Sequence, residues 1–274
     1  MRILLCTDGS PHGQAALSYG ALIAQRSPVP ATLLGVLEQP TDLVVLENAL
    51  EEGQRLLEGA PSPQVKIRQG HAAEEILNEA IQEYYNMIVI GARGRRGITR
   101  FLLGSTSERV ARHAPVPVLI VQGAQQALRR VLICTAGGNP GFKAVEVGGQ
   151  VAGLTGAQVT VLHIISQVAA TVSLPYELLE DLEASAEILM KRNTREGVHL
   201  RKALDILSGL DVDSRACVRH GLVVDEILAE VQEGDFDLVV IGAQVVEGLI
   251  RYLLEDVTHQ VVANIDRPVL VAKM

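Results

Sequence analysis

Arg2-Ile3-Leu4-Leu5-Cys6-Thr7-Asp8-Gly9 is answered, 128 residues further on, by Arg130-Val131-Leu132-Ile133-Cys134-Thr135-Ala136-Gly137. A chain that begins twice is built on an internal repeat, and the repeat unit sets the fold. Each copy also closes alike. Met87-Ile88-Val89-Ile90-Gly91-Ala92 matches Leu238-Val239-Val240-Ile241-Gly242-Ala243, and Val118-Leu119-Ile120-Val121 matches Val269-Leu270-Val271-Ala272, both 151 residues apart. The second copy therefore carries 23 extra residues in its middle. The junction falls at the polar stretch Gln122–Gln126, which predicts domains at 1–122 and 127–274.

Within the first copy, short β-branched runs read as buried strands: Ile3–Thr7, Thr32–Leu37, Val65–Arg68, Met87–Ile90 and Val118–Val121. Gln14–Gln25 and Glu74–Tyr84 carry apolar residues at helical spacing between them. Strands alternating with helices predict an α/β protein: two tandem five-stranded parallel sheets, Rossmann-like, each covered by helices through right-handed crossovers. The two apolar last strands would be exposed edges if left alone, so they are expected to meet, packing the copies as an intrachain pseudo-dimer. The extra residues lie in Ser166–Ser214. There Tyr176–Lys191 reads as helical, Gly197 breaks the pattern, and Leu200–Leu207 resumes it. This predicts a longer surface helical hairpin, with a lid or partner-docking element as the alternative.

Composition excludes several classes. Of 274 residues 48% are hydrophobic and 20% charged, enough apolar material for two cores. The net charge of −8 gives no global basic footprint for nucleic acid. Trp is absent and aromatics total 3%, which argues against stacking platforms for single strands. No charge-free apolar run reaches the ~18 residues of a membrane span, and Asp8 interrupts the N-terminal apolar run. A cytoplasmic protein without a signal peptide is the expectation. Cys6, Cys134 and Cys217 form no C-x-x-C and no even set. Cys6 and Cys134 read as buried strand residues. The seven histidines show no H-E-x-x-H spacing, so no metal site is expected; His163 reads as a satisfied core or strand-end histidine.

In parallel sheets ligands sit beyond the carboxyl ends of the strands. After the fourth strand comes Gly91-Ala92-Arg93-Gly94-Arg95-Arg96-Gly97-Ile98-Thr99-Arg100-Phe101-Leu102-Leu103-Gly104-Ser105-Thr106-Ser107-Glu108. Glycines at 91 and 94 admit close backbone approach to a ligand. Ser105-x-x-Glu108 fits a capping box, so Ser105 is expected to open a helix. A helix N-terminus beside hydroxyls suits a phosphate. Arg93, Arg95, Arg96 and Arg100 add local positive charge. No Gly-Lys-Ser/Thr follows, so this is not a Walker A loop, and G-x-G-x-x-G is absent.

The spacing G-x2-G-x9-G-S, with the opening Cys6-Thr7-Asp8-Gly9-Ser10, resembles the universal stress protein (UspA) family. The resemblance covers nearly the whole chain as two copies, and implies the adenine nucleotide alpha hydrolase-like fold. It also implies an adenine nucleotide, ATP, as ligand; magnesium is expected to accompany the triphosphate, though no carboxylate is visibly placed to hold it. By it, Asp8 meets the ribose or the base, with Thr7 and Ser10 beside it. Val36 packs near adenine, Ile90 and Gly91 flank base and sugar, and Gly94, Gly104, Ser105, Thr106 and Ser107 hold phosphates. From the residues alone, Asp8 is also readable as a turn former, the glycines as loop geometry and the arginines as solvated surface.

The second copy departs at these positions. Asp8, Gly94, Gly104 and Ser105 become Ala136, Val245, Glu255 and Asp256; Arg93, Arg95 and Arg96 become Gln244, Val246 and Glu247. Two carboxylates in the phosphate cradle would repel a triphosphate, and Asp256 could cap its own helix. The reading is a stress-response ATP-binding regulatory protein with one working site. The alternatives are a slow ATPase and a nucleotide-free adaptor for a protein client, as a homo-oligomer or an intrachain pair. No general base is apparent in the loop, so no catalytic residue is assigned.

Overall fold

A computed structural model describes residues 1–94, 103–123, 126–166, 184–242 and 249–273. Two compact units divide it: Met1–Leu128 with Asp266–Lys273, and Arg129–Ile265.

The first unit runs β1 (Ile3–Thr7), α1 (Pro11–Ala24), β2 (Thr32–Leu37), α2 (Leu43–Leu56), β3 (Gln64–Gln69), α3 (Ala72–Gln82), β4 (Met87–Gly91), α4 (Ser105–His113) and β5 (Val118–Val121). Its parallel sheet has the order β3-β2-β1-β4-β5. Ile3, Leu4 and Leu5 are at most 1% exposed, as are Met87, Ile88 and Val89. Strands buried on both faces read as unbroken apolar runs, which is why they were legible. β10 (Val269–Ala272), from the far end of the chain, joins this sheet antiparallel to β5, pairing Val269 with Ile120 and Val271 with Val118. The expected meeting of the two apolar last strands is thus present, and the unit boundary differs from the repeat boundary by that strand.

The second unit comprises β6 (Arg130–Thr135), α5 (Gly138–Thr155), β7 (Gln158–Ile165), α6 (Ala186–Arg192), α7 (Arg195–Ser208), β8 (Ser214–His220), α8 (Val223–Gly234), β9 (Leu238–Gly242) and α9 (Leu249–Asn264). Its sheet, β9-β6-β7-β8, is parallel and repeats the first. Tyr176–Lys191 is described only from Ala184 on; Leu178, Leu179 and Leu182 lie outside the described residues. Gly197 does not break the helix: it is buried inside α7, where a Cβ would collide with the Leu189 carbonyl of α6. The break is at Asn193, left-handed at φ 55°, followed by Thr194, whose hydroxyl caps α7 by accepting from Gly197 N–H at 3.0 Å.

Cys6 and Cys134 are buried, and that burial pushes both thiols far above their usual range. His163 Nδ1 lies 2.9 Å from the Thr135 carbonyl, as a strand-end histidine should. No described helix is long and apolar enough to cross a membrane.

Candidate functional site

In the first sheet the chain steps outward from β1 to β2 and β3, then returns to β4 on the other side. Crossovers on opposite faces leave a crevice at the carboxyl ends of β1 and β4. A cleft of about 530 Å³ lies there. That is within the ordinary range of ligand sites, ~300–1,000 Å³. Thr7 at the end of β1, Asp8 just beyond it, Val36 of β2, Ile90 and Gly91 of β4, Gly94, and Gly104 through Ser107 all line it.

Ser10 does not line the cleft. It is 2% exposed and caps α1, its hydroxyl accepting from Gly13 N–H at 3.0 Å. The neighbouring turn is held by two more side chains. Thr7 Oγ1 accepts from Gly9 N–H at 3.1 Å, and Asp8 Oδ1 accepts from Ser10 N–H at 3.0 Å. Gly9 sits at φ +73°, a conformation side chains disfavour. Asp8 is therefore a turn former and a cleft residue together. Its Oδ2 faces Gly94, where a Cβ would stand only 2.9 Å away.

The glycines answer to the protein before any ligand. A Cβ on Gly91 would lie 2.5 Å from the His12 carbonyl oxygen, so Gly91 is needed for α1 to approach β4. A Cβ on Gly13 would meet Thr7 Oγ1 at 2.7 Å and Asp8 Oδ1 at 2.8 Å. Gly91→Ala is expected to cost about 1–3 kcal/mol by overpacking against backbone, measured as a lowered urea midpoint with an unchanged slope. An unchanged midpoint would show that α1 yields freely.

The start of α4 corrects the sequence reading. Gly104, not Ser105, is the N-cap, extended at φ −66°, ψ 147°, and among the described residues no side chain caps the helix. Ser105 is the first helical residue and no capping box forms; Glu108 pairs instead with Arg112 at 2.9 Å. Among the described residues no side chain caps the first-turn N–H groups of α4, which lie beside the cleft, with Ser105 and Thr106 lining it. Ser107 is 3% exposed and its hydroxyl donates to the Gly91 carbonyl at 2.7 Å, tying α4 to β4. Gly104 N–H donates to the Ala92 carbonyl at 2.9 Å, closing the loop. Arg93 lines the cleft. Arg95, Arg96 and Arg100 lie outside the described residues.

Sequence reading missed Gly13, Glu38, Asp42, Leu46, His71 and Ile76, which also line the cleft. Glu38 follows β2 directly and His71 follows β3, so the strand-end rule would have found both. Glu38 Oε1 accepts from Ala72 N–H at 3.0 Å, satisfying the first turn of α3.

The second unit is different in kind. α9 spans Leu249–Asn264, so positions 255 and 256 fall inside a helix rather than at its start. Without a glycine at 255, a run of good helix formers carries the helix straight through. Residues 244–247 lie outside the described ones. Thr135, the counterpart of Thr7, has its hydroxyl 2.7 Å from His199 Nε2. The His199 ring lies 4.5 Å from Phe142 and 5.9 Å from His163. Burial, then the neighbouring His163 and Lys202, hold His199 below the usual imidazole range, favouring the neutral ring.

Fold and cleft together define a tandem pair of parallel α/β domains with a crevice at the strand ends. The profile of the universal stress protein family matches residues 1–122 and again 127–273, so the chain belongs to that family. A universal stress protein of Thermus aquaticus is 32% identical over 133 residues, 44% of this chain and 97% of its own length. One from Mycolicibacterium smegmatis is 34% identical over 134 residues, 44% of this chain and 45% of its own. Among solved structures, a universal stress protein of Archaeoglobus fulgidus superposes with a TM-score of 0.68 at 20% identity, covering 99% of this chain and 96% of that one. A protein of the same family from Pseudomonas aeruginosa gives 0.70 at 20%, covering 99% and 92%. At that identity the likeness speaks for the fold.

Proposed function

We propose that this chain is a nucleotide-binding regulatory protein whose first unit holds one ATP and whose second holds none. The observation that carries the reading is the N-terminus of α4 beside the cleft, which no described side chain caps. Free N–H groups and the positive end of the helix dipole favour a phosphate. Val36, Leu46, Ile76 and Ile90 supply apolar wall for a base. Asp8 accepts from ribose hydroxyls or an exocyclic amine. Ser105 and Thr106 add hydroxyl donors to the phosphates, while Ser107, already committed to Gly91, positions the helix. Glu38 and Asp42 disfavour phosphates elsewhere in the cleft and orient the triphosphate to α4. Among the described residues no group of three His, Cys, Asp or Glu side chains is arranged for a metal. Magnesium would therefore travel with the nucleotide, held by phosphate oxygens and water.

Titration calorimetry on the intact chain should give one ATP per chain. Asp8→Ala should weaken binding roughly ten- to a hundredfold, the loss of a hydrogen bond to a charged group. A stoichiometry near two would defeat the reading. Hydrolysis should be slower than ~1 s⁻¹, the low end for kinases, because no cleft residue is assigned to position a nucleophilic water.

A further inference from the structure

The edge strands β3 and β8 correspond residue by residue. Arg68 pairs with Glu79 and Arg219 with Glu230, each partner 151 residues from its twin. Lys66 and Arg68 both reach Glu79 of α3. Alternation along a strand sends Val65 and Ile67 to the opposite face, the α2 side. In the second unit that face is covered: α6 and α7 both pack against β8, and Ala216 and Val218, the counterparts, are only partly exposed. In the first unit α2 packs on β1 and β2, and Val65 and Ile67 remain 41% and 45% exposed. The second copy covers with its own helix a surface that the first leaves open.

The α2 rim of that surface carries two glutamates, Glu47 and Glu51, the latter also paired with Arg55 at 3.6 Å. Leu46, Leu50 and Gly53 are the buried side of α2. Val45, Asn48 and Glu52 share a hollow with Ser10 and Pro11, so they face α1. At 100° per residue, Glu47, Glu51 and Gln54 are left on the flank toward β3. α6 illustrates what such a face accepts: Ala186-Glu187-Ile188-Leu189-Met190-Lys191-Arg192, with Leu189 buried and a basic last turn.

We propose that the open face of β3 docks an amphipathic helix of a partner protein, its apolar stripe on Val65 and Ile67 and basic residues on the flank that meets Glu47 and Glu51. The helix-in-groove mode needs such an apolar floor and complementary rim. The proposal does not depend on ATP binding.

The test uses the full chain and two fluorescent synthetic helices with identical leucine stripes, one with lysine flanks and one with glutamate flanks. The lysine helix should bind at least tenfold tighter. Val65→Thr with Ile67→Thr keeps β-propensity and should weaken it at least tenfold. Because a chain of charge −8 attracts any basic peptide, Glu47→Lys with Glu51→Lys provides the second arm. These surface changes should reverse the preference toward the glutamate helix. No binding of either helix, equal binding of both, or indifference to both pairs of substitutions would overturn the proposal. So would a concentration-dependent dimer in sedimentation that Val65→Thr with Ile67→Thr abolishes, which would make a second copy the occupant.

Discussion

Gly104→Glu is expected to reduce ATP affinity at least a hundredfold while the chain stays folded. Gly104 is not there for its dihedrals, since φ −66°, ψ 147° suits any residue. It is there for closeness. A Cβ would stand 3.2 Å from Arg93 Cα and 3.3 Å from the Ala92 carbonyl oxygen, so the loop must give by a few tenths of an ångström. The carboxylate adds the larger effect, because it would lie at the N-terminus of α4 where the phosphates are proposed. Two unit charges ~4 Å apart at an effective dielectric of ~20 repel by about 4 kcal/mol, several hundredfold in affinity. Gly104→Ala separates the two contributions: it tightens the loop without charge and should lose tenfold or less. Calorimetry gives the affinities and a melting curve reports folding. Binding by Gly104→Glu within threefold of the parent would mean that the phosphates do not sit at α4.

The same position shows that comparison of the two copies by residue identity describes their difference only in part. The glutamate at 255 reads as a charge added to a cradle. In the folded chain α9 runs from Leu249 through that position, so the second unit has no helix N-terminus there at all. Charge is visible in a residue's identity, whereas the start of a helix depends on what the preceding residues permit. For the same reason Ser105 reads as an N-cap: the Ser-x-x-Glu spacing is local, but the extended Gly104 that takes the role is fixed by its hydrogen bond to Ala92 across the loop. Strands were legible because burial on both faces leaves unbroken β-branched runs. α2 was not, because it opens on Leu43, Val44 and Val45, all exposed, which blur the helical period. Gly13 and the Leu46 wall were invisible because their roles lie in contacts between elements distant in sequence. Ser10 reads as a ligand residue because it adjoins Asp8, yet it caps α1 instead, accepting from Gly13 N–H.

Glu79→Gln is expected to destabilise the chain by about 3 kcal/mol at neutral pH, the lower end of the range for breaking a buried ion pair. Glu79 is 0% exposed and accepts from Lys66 Nζ at 2.7 Å, Tyr85 hydroxyl at 2.7 Å and Arg68 Nε at 3.0 Å. Lys66 and Arg68 are themselves about a third exposed at 30% and 27%, and water softens their loss, which sets the lower end. Burial alone would raise the Glu79 pKa, but the bonds from Lys66, Tyr85 and Arg68 outweigh it and hold the carboxyl below its usual value. A carboxylate depressed in the folded state stabilises above the unfolded pKa, ~4.3 for glutamate. That contribution disappears as pH falls through the lower folded value. The gap between parent and Glu79→Gln in urea denaturation should therefore be full at pH 7 and close progressively below about pH 4. The repeat supplies an internal control. Glu230 keeps Arg219 Nε at 2.6 Å, but Phe236 stands where Tyr85 does and Cys217 where Lys66 does, its thiol giving only a weak bond to Glu230 at 3.9 Å, and Glu226 and Glu233 share the arginine. Glu230→Gln should cost less, about 1.5 kcal/mol for one charged hydrogen bond, because the guanidinium keeps two acceptors. Equal losses in the two variants, or a Glu79→Gln gap unchanged at pH 3, would show that the three donors around Glu79 do not act through its charge.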